Sequence, residues 1–468
     1  MEGDNSTTPI EMRLSDVPGM PSPEMELTYV TAIPMNGSTF TQSQEVRVGL
    51  NVPTDCFVDL KRAYLKYKLK NTGAGTVSLD PLIGGVSVID NWRVIGGTGA
   101  LLEEVIHYNA MYAAMNANKN IDVISTIHHL YEGAGRNPAI GLPLNSNPTD
   151  AQITNSGLTT LSTTHERVIT HRPQSAFFNA DRYMPLGFCQ GLTYLSLTLC
   201  QNETFALVTN EDTNNASSFS ISEVELHLPI LKPGPEFASM FRSAMSSGVP
   251  IQIHSVGVQN TQQSIPLDSS GEQTLTFSTR KRSVKSLMNV LRKNADITNK
   301  HRNSVSGFVN AGITEFNYSV GGMRIPAQRL KVNAVANGKD AGELLAQQQL
   351  ALGHYSSDLR GICSQTRGIG AKTGGEETYL ITLENAVGDG QPGSGAIQSK
   401  CQFSLDLESY NAAFAGKNLA GQGLPLVFHA NVLATGAQDI SALLADLYCI
   451  HDVVYVLDGM TGVITANS

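Results

Sequence analysis

The sequence predicts an all-β protein of two consecutive β-sandwich domains with a few short helices and long loops. Short alternating strands separated by turns rich in Gly, Asn and Ser occur in both halves. Each half closes on a long alternating strand, at 222–231 and at 447–457. A chain of 468 residues also exceeds the usual size of one domain. Since no strict short repeat is visible, the strand count favours two jelly rolls over a barrel or a propeller.

The first half begins with an extended tail at 1–26, which is polar, acidic and contains prolines, among them Pro18, Pro21 and Pro23. In the first jelly roll, predicted over 27–232, alternation indicates strands at 45–50, 58–70, 86–95 and within 186–209. From Gly96 to Asn116, apolar residues near a period of 3.6 predict an amphipathic helix. Residues 117–180 predict a long excursion off the core that contains short helical or strand pieces.

Residues 233–248 predict the boundary between the two domains. Pro233-Gly234-Pro235 ends the preceding strand, and apolar residues at helical spacing follow as far as Gly248. We therefore expect a short linker helix over 233–248 and a second jelly roll over 249–468.

The second half repeats the plan of the first. We expect a helix at 283–293, capped by Ser283, and another after Asp340, where the spacing resembles a capping box. Residues 361–398 predict a second long loop region. Strands are predicted at 251–258, 274–278, 316–332 (as a hairpin), 402–409, 424–434 and 447–457.

Composition limits the classes of function. Only 16% of residues are charged, which suits a protein that packs against copies of itself. The net charge is −9, and the tail holds six acidic residues against one arginine, so it is not a basic arm that neutralises a genome. Six cysteines without CxxC spacing indicate buried free thiols. No secretory leader is expected, and no apolar run reaches the ~18 residues of a membrane span.

Motif searches favour no enzyme and no cofactor. Gly97 and Gly99 open a turn between a strand and the predicted helix, but Leu102 occupies the third position of a dinucleotide fingerprint, which needs a small residue. The loop at 368–375 lacks the Gly-Lys-Ser/Thr tripeptide that a phosphate loop needs after its four-residue spacer. No metal-ligand spacing of His or Cys and no nucleophile signature occurs.

The one concentrated charge feature is a basic segment at 280–302, which has a single acidic residue, Asp296. It is a candidate electrostatic contact surface for an acidic partner, for the acidic tail of a neighbouring copy or for phosphates of a genome. A solvated helix face is the ordinary interpretation of such a run. A protein partner is favoured over nucleic acid because no aromatic residues alternate with the basic ones. The residues are Arg280, Lys281, Arg282, Lys285, Arg292, Lys293, Lys300 and Arg302.

Over most of 27–465 the chain resembles the double jelly-roll major capsid proteins of tailless double-stranded DNA viruses, especially those of polinton-like viruses and virophages. The resemblance rests on two segments. The first is VIDNWRVIGGTGALLEEVIHYNAMYAAMN at 88–116. The second is TFSTRKRSVKSLMNVLRK at 276–293, followed by FNYSVGGMRIPAQRLKVN at 316–333. The match lies in the order of the predicted elements and in the residue types along them, and not in an invariant motif.

The resemblance implies a structural protein of the virion, made inside the host cell. Three copies would form a pseudo-hexagonal homotrimer, and trimers would tile an icosahedral shell around DNA. Further partners would be penton and minor capsid proteins, with at most a weak contact to the genome. The excursions at 117–180 and 361–398 would form outward towers or trimer contacts, and the tail at 1–26 would extend beneath or between neighbouring capsomers.

Two alternatives stay open at this point. One is a single-layer capsid protein with a shell jelly roll and a projecting β domain, although its usual basic arm is absent. The other is a non-viral β-sandwich enzyme or glycan-binding protein, such as a two-domain cupin-like protein. A cupin would need His and Glu on adjacent strands, and His165, Glu166 and His171 are the only candidates, in what the sequence predicts to be a loop.

Overall fold

A computed structural model describes fifteen stretches of the chain, and all structural statements below refer to them. They are 25–119, 123–134, 159–208, 218–248, 250–265, 271–279, 281, 283–297, 305–308, 313–331, 342–353, 355, 402–407, 425–432 and 443–468.

Strands dominate the first half, which forms three antiparallel sheets. The strands are β1 Met25–Ala32, β2 Thr39–Phe40, β3 Glu45–Gly49, β4 Phe57–Val58, β5 Tyr64–Asn71, β6 Val77–Leu79, β7 Ile89–Ile95, β8 Leu101–Val105, β9 Thr160–Leu161, β10 Glu166–His171, β11 Tyr194–Leu199, β12 Ala206–Val208 and β13 Phe219–Pro233. One sheet has the order β1-β13-β5-β10, a second has β3-β11-β7-β8, and β12-β6-β9 form a small third sheet.

The second half forms two further antiparallel sheets. Its strands are β14 Ile251–Ile265, β15 Gly271–Phe277, β16 Val284–Lys293, β17 Ile313–Val320, β18 Met323–Lys331, β19 Leu405–Asp406, β20 Leu426–Val432, β21 Leu443–Leu457 and β22 Ile464–Asn467. The sheet orders are β14-β21-β16-β19 and β15-β20-β17-β18.

The helices are short. They are α1 Tyr108–Asn116, a π-helical turn Ile124–His128, α2 His129–Glu132, α3 Pro235–Ser246, α4 Asn294–Ile297 and α5 Gly342–Gly353. Single 3₁₀ turns lie at Leu60–Arg62, Gly85–Val88 and Leu186–Phe188. Helix α3 lies where the sequence predicts a linker helix, and α5 lies where a helix was expected after Asp340.

The two halves share one strand order. Each half contains two four-stranded paths of paired strands, and β2, β4, β6, β9, β12 and β22 lie off these paths. Number the remaining eight strands of each half along the chain. Both halves then have one sheet ordered 1-8-3-6 and another ordered 2-7-4-5. Two four-stranded antiparallel sheets of this kind make a jelly roll. The predicted fold class, two consecutive jelly-roll sandwiches with few short helices, is therefore confirmed. The exact domain bounds stay a prediction.

Two predicted helices are wrong in whole or in part. Residues 283–293 form β16, a central strand between β21 and β19, and not a helix capped by Ser283. In the helix predicted from Gly96 to Asn116, residues 101–105 instead form β8, which pairs with β7. Only Tyr108–Asn116 of that segment is helical. At the junction His107 adopts a left-handed backbone, φ 52°, which separates the strand from the helix.

The excursion predicted at 117–180 is only partly off the core. Its later part contributes β10, which pairs with β5 from Glu166 to His171 and so belongs to a principal sheet. Residues 120–122 and 135–158 of the excursion and the loop region at 361–398 lie outside the described residues. The predicted tail ends inside β1, since Met25 and Glu26 already pair with Pro233 and Lys232.

A seam between residues 25–248 and residues 250–468 is packed like a domain interior. One hydrophobic cluster contains Trp92 and Phe177 from the first half together with Met288, Tyr448 and Tyr455 from the second. The rings of Phe177 and Tyr455 meet edge to face, with centroids 5.5 Å apart. The second half has its own core between its two sheets.

Candidate assembly surfaces

The predicted basic surface is in part internal. Of its eight residues, Arg280, Arg282, Lys300 and Arg302 lie outside the described residues, and the side chain of Lys293 is not described either. The remaining three, Lys281, Lys285 and Arg292, all have partners within the chain.

Arg292 is buried and forms an ion pair with Asp446, Nη2 to Oδ2 2.7 Å, in which both side chains are almost inaccessible. Lys285 Nζ lies 2.9 Å from Asp452 Oδ1, and Lys281 Nζ donates to Ser468 Oγ at 2.6 Å. These three cations are therefore engaged in packing the second half. The contact role predicted for the segment stays a prediction.

A buried polar network joins α1, the helical turn 123–132 and β10. Glu132 Oε1 accepts from His171 Nδ1 at 2.8 Å, and Oε2 accepts from His128 Nδ1 at 2.9 Å. The hydroxyl of Tyr112 also donates to Glu132, at 2.8 Å. Because an ionised carboxylate only accepts, each of these nitrogens must carry a proton. The carboxylate thus fixes the tautomer of His171.

The network continues on both sides of the carboxylate. His171 Nε2 accepts from the hydroxyl of Tyr108 at 2.6 Å, and that oxygen accepts from the backbone N–H of Gln174 at 2.8 Å. On the other side Lys119 Nζ lies 3.3 Å from His128 Nε2. The His128 ring therefore lies between the partly exposed ammonium group of Lys119 and the carboxylate of Glu132.

Electrostatics explain how a carboxylate is tolerated here. Burial alone raises the pKa of Glu132, but hydrogen bonds from His128 and His171 outweigh burial and bring that pKa from 4.5 to about 2. Glu132 is therefore ionised at neutral pH and holds the helical turn against β10. Arg167 of β10 also holds the helical turn against that strand, because its guanidinium donates to the carbonyl oxygen of His129.

The cupin-like candidates do not form a metal site. The expected loop is wrong for Glu166 and His171, which lie on β10, where alternation directs Glu166 outward, with Lys70 at 3.6 Å, and His171 inward. His165 instead contacts Ser162 Oγ at 2.5 Å. Among the described residues, no three His, Cys, Asp or Glu side chains are gathered in a way that could hold a metal ion.

The outer side of the helical turn carries an apolar surface, which we name the helical patch. Glu132 and Ile124 point inward, whereas the large apolar side chains between and before them are exposed, Leu130 by 75% of its area. The helical patch consists of Val123, Ile127, Leu130 and Tyr131.

A second apolar surface lies at β1 and the residues that follow it, and we name it the β1 patch. Leu27 and Tyr29 pair with Leu231 and Pro229 on the outer face of the sheet, and Tyr29 is 67% exposed. After β1 the chain crosses toward β3, where Pro34 bridges Val48. The β1 patch consists of Leu27, Tyr29, Ile33 and Met35.

Polar groups are also buried across the seam. Ser306 Oγ donates to Asp80 Oδ2 at 2.9 Å, and Oδ1 of the same carboxylate accepts from the N–H groups of Leu82 and Ile83. Burial raises the pKa of Asp80 to about 6, against the lowering effect of these bonds. Asn118 of the first half bonds both Gln348 and Gln402 of the second, at 2.5 and 3.2 Å.

The sequence analysis did not single out the helical patch or Glu132. A usable signal exists, because His128 and Glu132 stand four residues apart and so share one helix face, with Leu130 and Tyr131 facing away. The partner His171 lies 39 residues further along the chain and could not be inferred from spacing.

Comparisons with known proteins bear on the fold. No protein-family model matches the chain, and no curated protein matches it significantly. Several solved structures, however, match the chain. The chain is similar to a quasi-atomic model of the PBCV-1 virus capsid, with a TM-score of 0.56, 9% identity, and coverage of 96% of this chain and 98% of that one.

It is similar to the Faustovirus major capsid protein, with a TM-score of 0.54, 9% identity, and coverage of 94% of this chain and 92% of that one. PBCV-1 VP54, fitted into a reconstruction of the virophage Sputnik, also matches with a TM-score of 0.54, 9% identity, and coverage of 96% and 98%. The chain has the double jelly-roll fold. The similarity extends through both jelly rolls, and at 9% identity it concerns the fold alone. No helix among the described residues is long and apolar enough to cross a membrane.

Proposed function

We propose that this double jelly-roll protein is the major capsid protein of an icosahedral DNA virus. The observation that carries the proposal is the repeated strand order, 1-8-3-6 and 2-7-4-5, in both halves. Three copies of a chain with two like sandwiches place six similar units around a three-fold axis. Such a trimer has a pseudo-hexagonal outline and can tile a shell.

The work of the protein is then assembly and not catalysis. The similar solved structures are capsid proteins, which supports a structural role. A closed trimer needs a large buried interface, whereas contacts between trimers are smaller and more polar, so that misplaced units can dissociate. The low charged fraction of 16% suits both kinds of contact.

The remaining parts of the proposal concern partners and place. The protein is a component of the virion, is made inside the host cell, and contacts penton and minor capsid proteins. Contact with the genome is weak at most, because the net charge is −9.

The two alternatives are less well supported. A single-layer capsid protein would pair its shell jelly roll with a projecting domain of another kind, whereas here both halves have one strand order. A cupin-like site would need His and Glu on one face, and Glu166 and His171 point to opposite faces of β10.

The solution mass of the purified protein, with negative-stain images of the same fraction, tests the proposal. We expect a species of three times the 50.1 kDa chain mass, with a hexagonal outline. Compact monomers over a range of salt and pH would contradict it.

Removal of residues 1–26 tests the tail. We expect the trimer to survive, because the proposed place of the tail is beneath or between neighbouring capsomers. Ordered shells should form less efficiently. Trimer mass by light scattering and shell yield by electron microscopy measure the two effects. If the truncation abolishes the trimer itself, the role given to the tail is wrong. Removal of residues 1–24 should have the same two effects. Because it leaves the β1 pairing of Met25 and Glu26 intact, it separates the loss of the tail from damage to β1.

A further inference from the structure

We infer that copies of the chain join through the first jelly roll of one copy and the second jelly roll of the next, with Lys70 facing Glu315 and Glu225 facing Lys331. The first surface is the outer face of the β1-β13-β5-β10 sheet, and the second is the β17–β18 side of the other jelly roll. The inference rests on the proposed function, because it names the surfaces by which the trimeric partner is recognised. The seam within each chain is the template for this contact.

The seam joins unlike surfaces of the two jelly rolls. The second jelly roll contributes the outer face of its β14-β21-β16-β19 sheet, where Met288 and Val290 enter the cluster shared with the first half. The first jelly roll contributes its β7–β8 side, because β14 contacts β8 and the hydroxyl of Tyr448 donates to the carbonyl oxygen of His107. Contacts between unlike surfaces are head-to-tail and close into a ring when the rotation between units is right. A ring of six alternating jelly rolls therefore needs the same two surfaces to meet again between copies.

The outward lysines of β5 are equivalent to residues of β16 that the seam buries. The second residue of β13 pairs with Lys70, and the second residue of β21 pairs with Arg292. From these positions backward, the residues of both strands alternate in step between the core of their own jelly roll and the outer face. By this alignment the equivalents of Met288, Val290 and Arg292 are, in order, Lys66, Lys68 and Lys70.

Glu225 takes the place of the seam residue Tyr448. Lys66 pairs with Glu225 as its equivalent Met288 pairs with Tyr448. A face that is largely apolar in the seam is thus charged on the first jelly roll, where the side chains of Lys70 and Glu225 are 45% and 29% exposed. A charged, accessible face suits separate copies that must stay soluble until they meet.

An irregularity at the same place aligns β7 with β17. β7 pairs with β11 through Ile89 and Asn91 but not through Asp90. β17 likewise pairs with β20 through Ile313 and Glu315 but not through the residue between them. Glu315 is therefore equivalent to Asn91 and comes directly after the position of Asp90.

The next strand places Lys331 at the equivalent junction. The residue after Asn91 pairs with Val105 of β8. The residue after Glu315 pairs with the one before Lys331, and Glu315 pairs with Lys331 itself. Because His107 lies two residues beyond Val105, the exposed Lys331 lies one residue before the equivalent of His107.

Within the seam, a carboxylate of the β7–β8 side lies near the cation of the sheet face. Burial lowers the pKa of the Arg292 guanidinium, but the negative charge of Asp446 and, to a smaller extent, of Asp90 raises that pKa above its ordinary value. Asp90 is held at this junction by His107, with 3.0 Å between Oδ1 and Nδ1. The seam therefore places an acid of the first jelly roll close to a cation of the second.

The equivalent positions between copies carry opposite charges. A repeat of the seam brings Glu315 of one copy to Lys70 of the next, and Lys331 to Glu225. A contact turned end for end would bring Lys70 to Lys331 and Glu225 to Glu315, and repulsion between like charges would oppose it. The charge pattern thus favours another copy of this chain as the occupant. The ion pairs that Lys70, Glu225 and Glu315 form within the chain are partly exposed and compete weakly.

Charge reversal in the full-length chain tests the contact. We expect Lys70→Glu alone and Glu315→Lys alone each to raise the protein concentration at half dissociation of the trimer roughly 10-fold, because each brings like charges together. The double variant should return to within about 3-fold of the wild-type value, since the pair re-forms with its signs exchanged. Glu225→Lys and Lys331→Glu test the second pair in the same way. Sedimentation equilibrium over a range of protein concentrations measures the dissociation.

Arg47→Glu, Glu45→Lys and their combination are the matched controls. This ion pair lies on β3, in the other principal sheet of the first jelly roll, with side chains that are 50% and 36% exposed. Trimers of the control variants should dissociate as the wild type does, and thermal melts of every variant verify the fold. Undiminished trimers in Lys70→Glu and Glu315→Lys, or a double variant as weak as either single one, would overturn the inference.

Crosslinking identifies the two surfaces directly. A chain that carries both Lys70→Cys and Glu315→Cys, treated as trimers with a short bismaleimide, should give covalent species of three chains on a denaturing gel. Chains with only one of the two substitutions control for the native thiols and should stay single. Trimers of the double-cysteine chain that give no covalent oligomer would overturn the pairing. Wild-type protein that forms no trimer would instead overturn the proposed function, and this inference with it.

Discussion

Glu132 is the residue on which the helical turn depends. It is 2% exposed and accepts hydrogen bonds from Tyr112, His128 and His171. We predict that Glu132→Gln lowers the free energy of unfolding at pH 7 by about 2–4 kcal/mol, because a neutral amide confronts three donors and loses the charge that they solvate. Urea denaturation followed by circular dichroism measures the loss.

The same residue predicts a pH dependence. Its folded pKa of about 2 lies below its ordinary 4.5, so its stabilising contribution is complete above pH 4.5 and is lost as the pH falls toward 2. The difference between wild type and Glu132→Gln should shrink over that window. Glu166→Gln is the control, since that exposed carboxylate has only Lys70 at 3.6 Å and should cost less than about 1 kcal/mol. Equal losses from both variants would contradict the role of Glu132.

Asp80 predicts the opposite dependence of the free energy of unfolding on pH. Burial raises its folded pKa from 3.8 to about 6, so folding favours the protonated form, and its contribution to stability falls as the pH rises from about 4 to 6. Asp80→Asn keeps an oxygen for the N–H groups of Leu82 and Ile83 and cannot ionise. We expect the free energy of unfolding of Asp80→Asn, relative to that of wild type, to be higher at pH 7 than at pH 4. Urea denaturation of both proteins at each pH measures this difference. A difference that does not vary with pH would contradict the assignment.

At the scale of elements, β16 shows why a helix was predicted where a strand lies. Leu287 and Leu291 face the core of the second half, whereas Met288 and Val290 face the cluster shared with the first half. A strand buried on both faces loses the alternation of apolar and polar residues that identifies strands. The apolar residues then fall by chance at helical spacing, and the second burial partner is invisible in a single sequence.

Neighbouring residues of β16 test this two-sided burial. We predict that Leu287→Ala and Met288→Ala each cost about 2–5 kcal/mol, because each leaves a cavity, but in different places. Hydrogen exchange should accelerate around β17 and β20 for Leu287→Ala, and around α1 and β14 for Met288→Ala. Met323→Ala is the control, since that side chain is 55% exposed. The same exchange pattern for both variants would contradict the two-sided burial.

At the scale of the whole molecule, the local alternation of apolar and polar residues predicted the fold class but not the order of the strands in each sheet. The alternation at 222–231 and 447–457 marks β13 and β21, which have corresponding central places in the two halves. Their partners come from across each half: β13 pairs with β1, nearly 200 residues earlier, and β21 pairs with β14. Strand order depends on such distant pairing, and the apolar patches depend on which residues remain uncovered, so neither follows from local spacing.

The seam predicts that the two jelly rolls unfold as one unit. One hydrophobic cluster contains Phe177 and Tyr455, and Asn118 is buried against Gln348 and Gln402, so that separating the halves would expose apolar surface and unpaired amides together. We expect a single calorimetric transition for the monomer, at protein concentrations low enough to dissociate any oligomer, with equal calorimetric and van't Hoff enthalpies. Asn118→Ala should lower its midpoint without splitting it, and Ser162→Ala, at an exposed site, serves as control. Two separate transitions in the unsubstituted seam would mean that each jelly roll is stable alone. The buried amides would then add specificity to the docking of the two halves and not cooperativity to their folding.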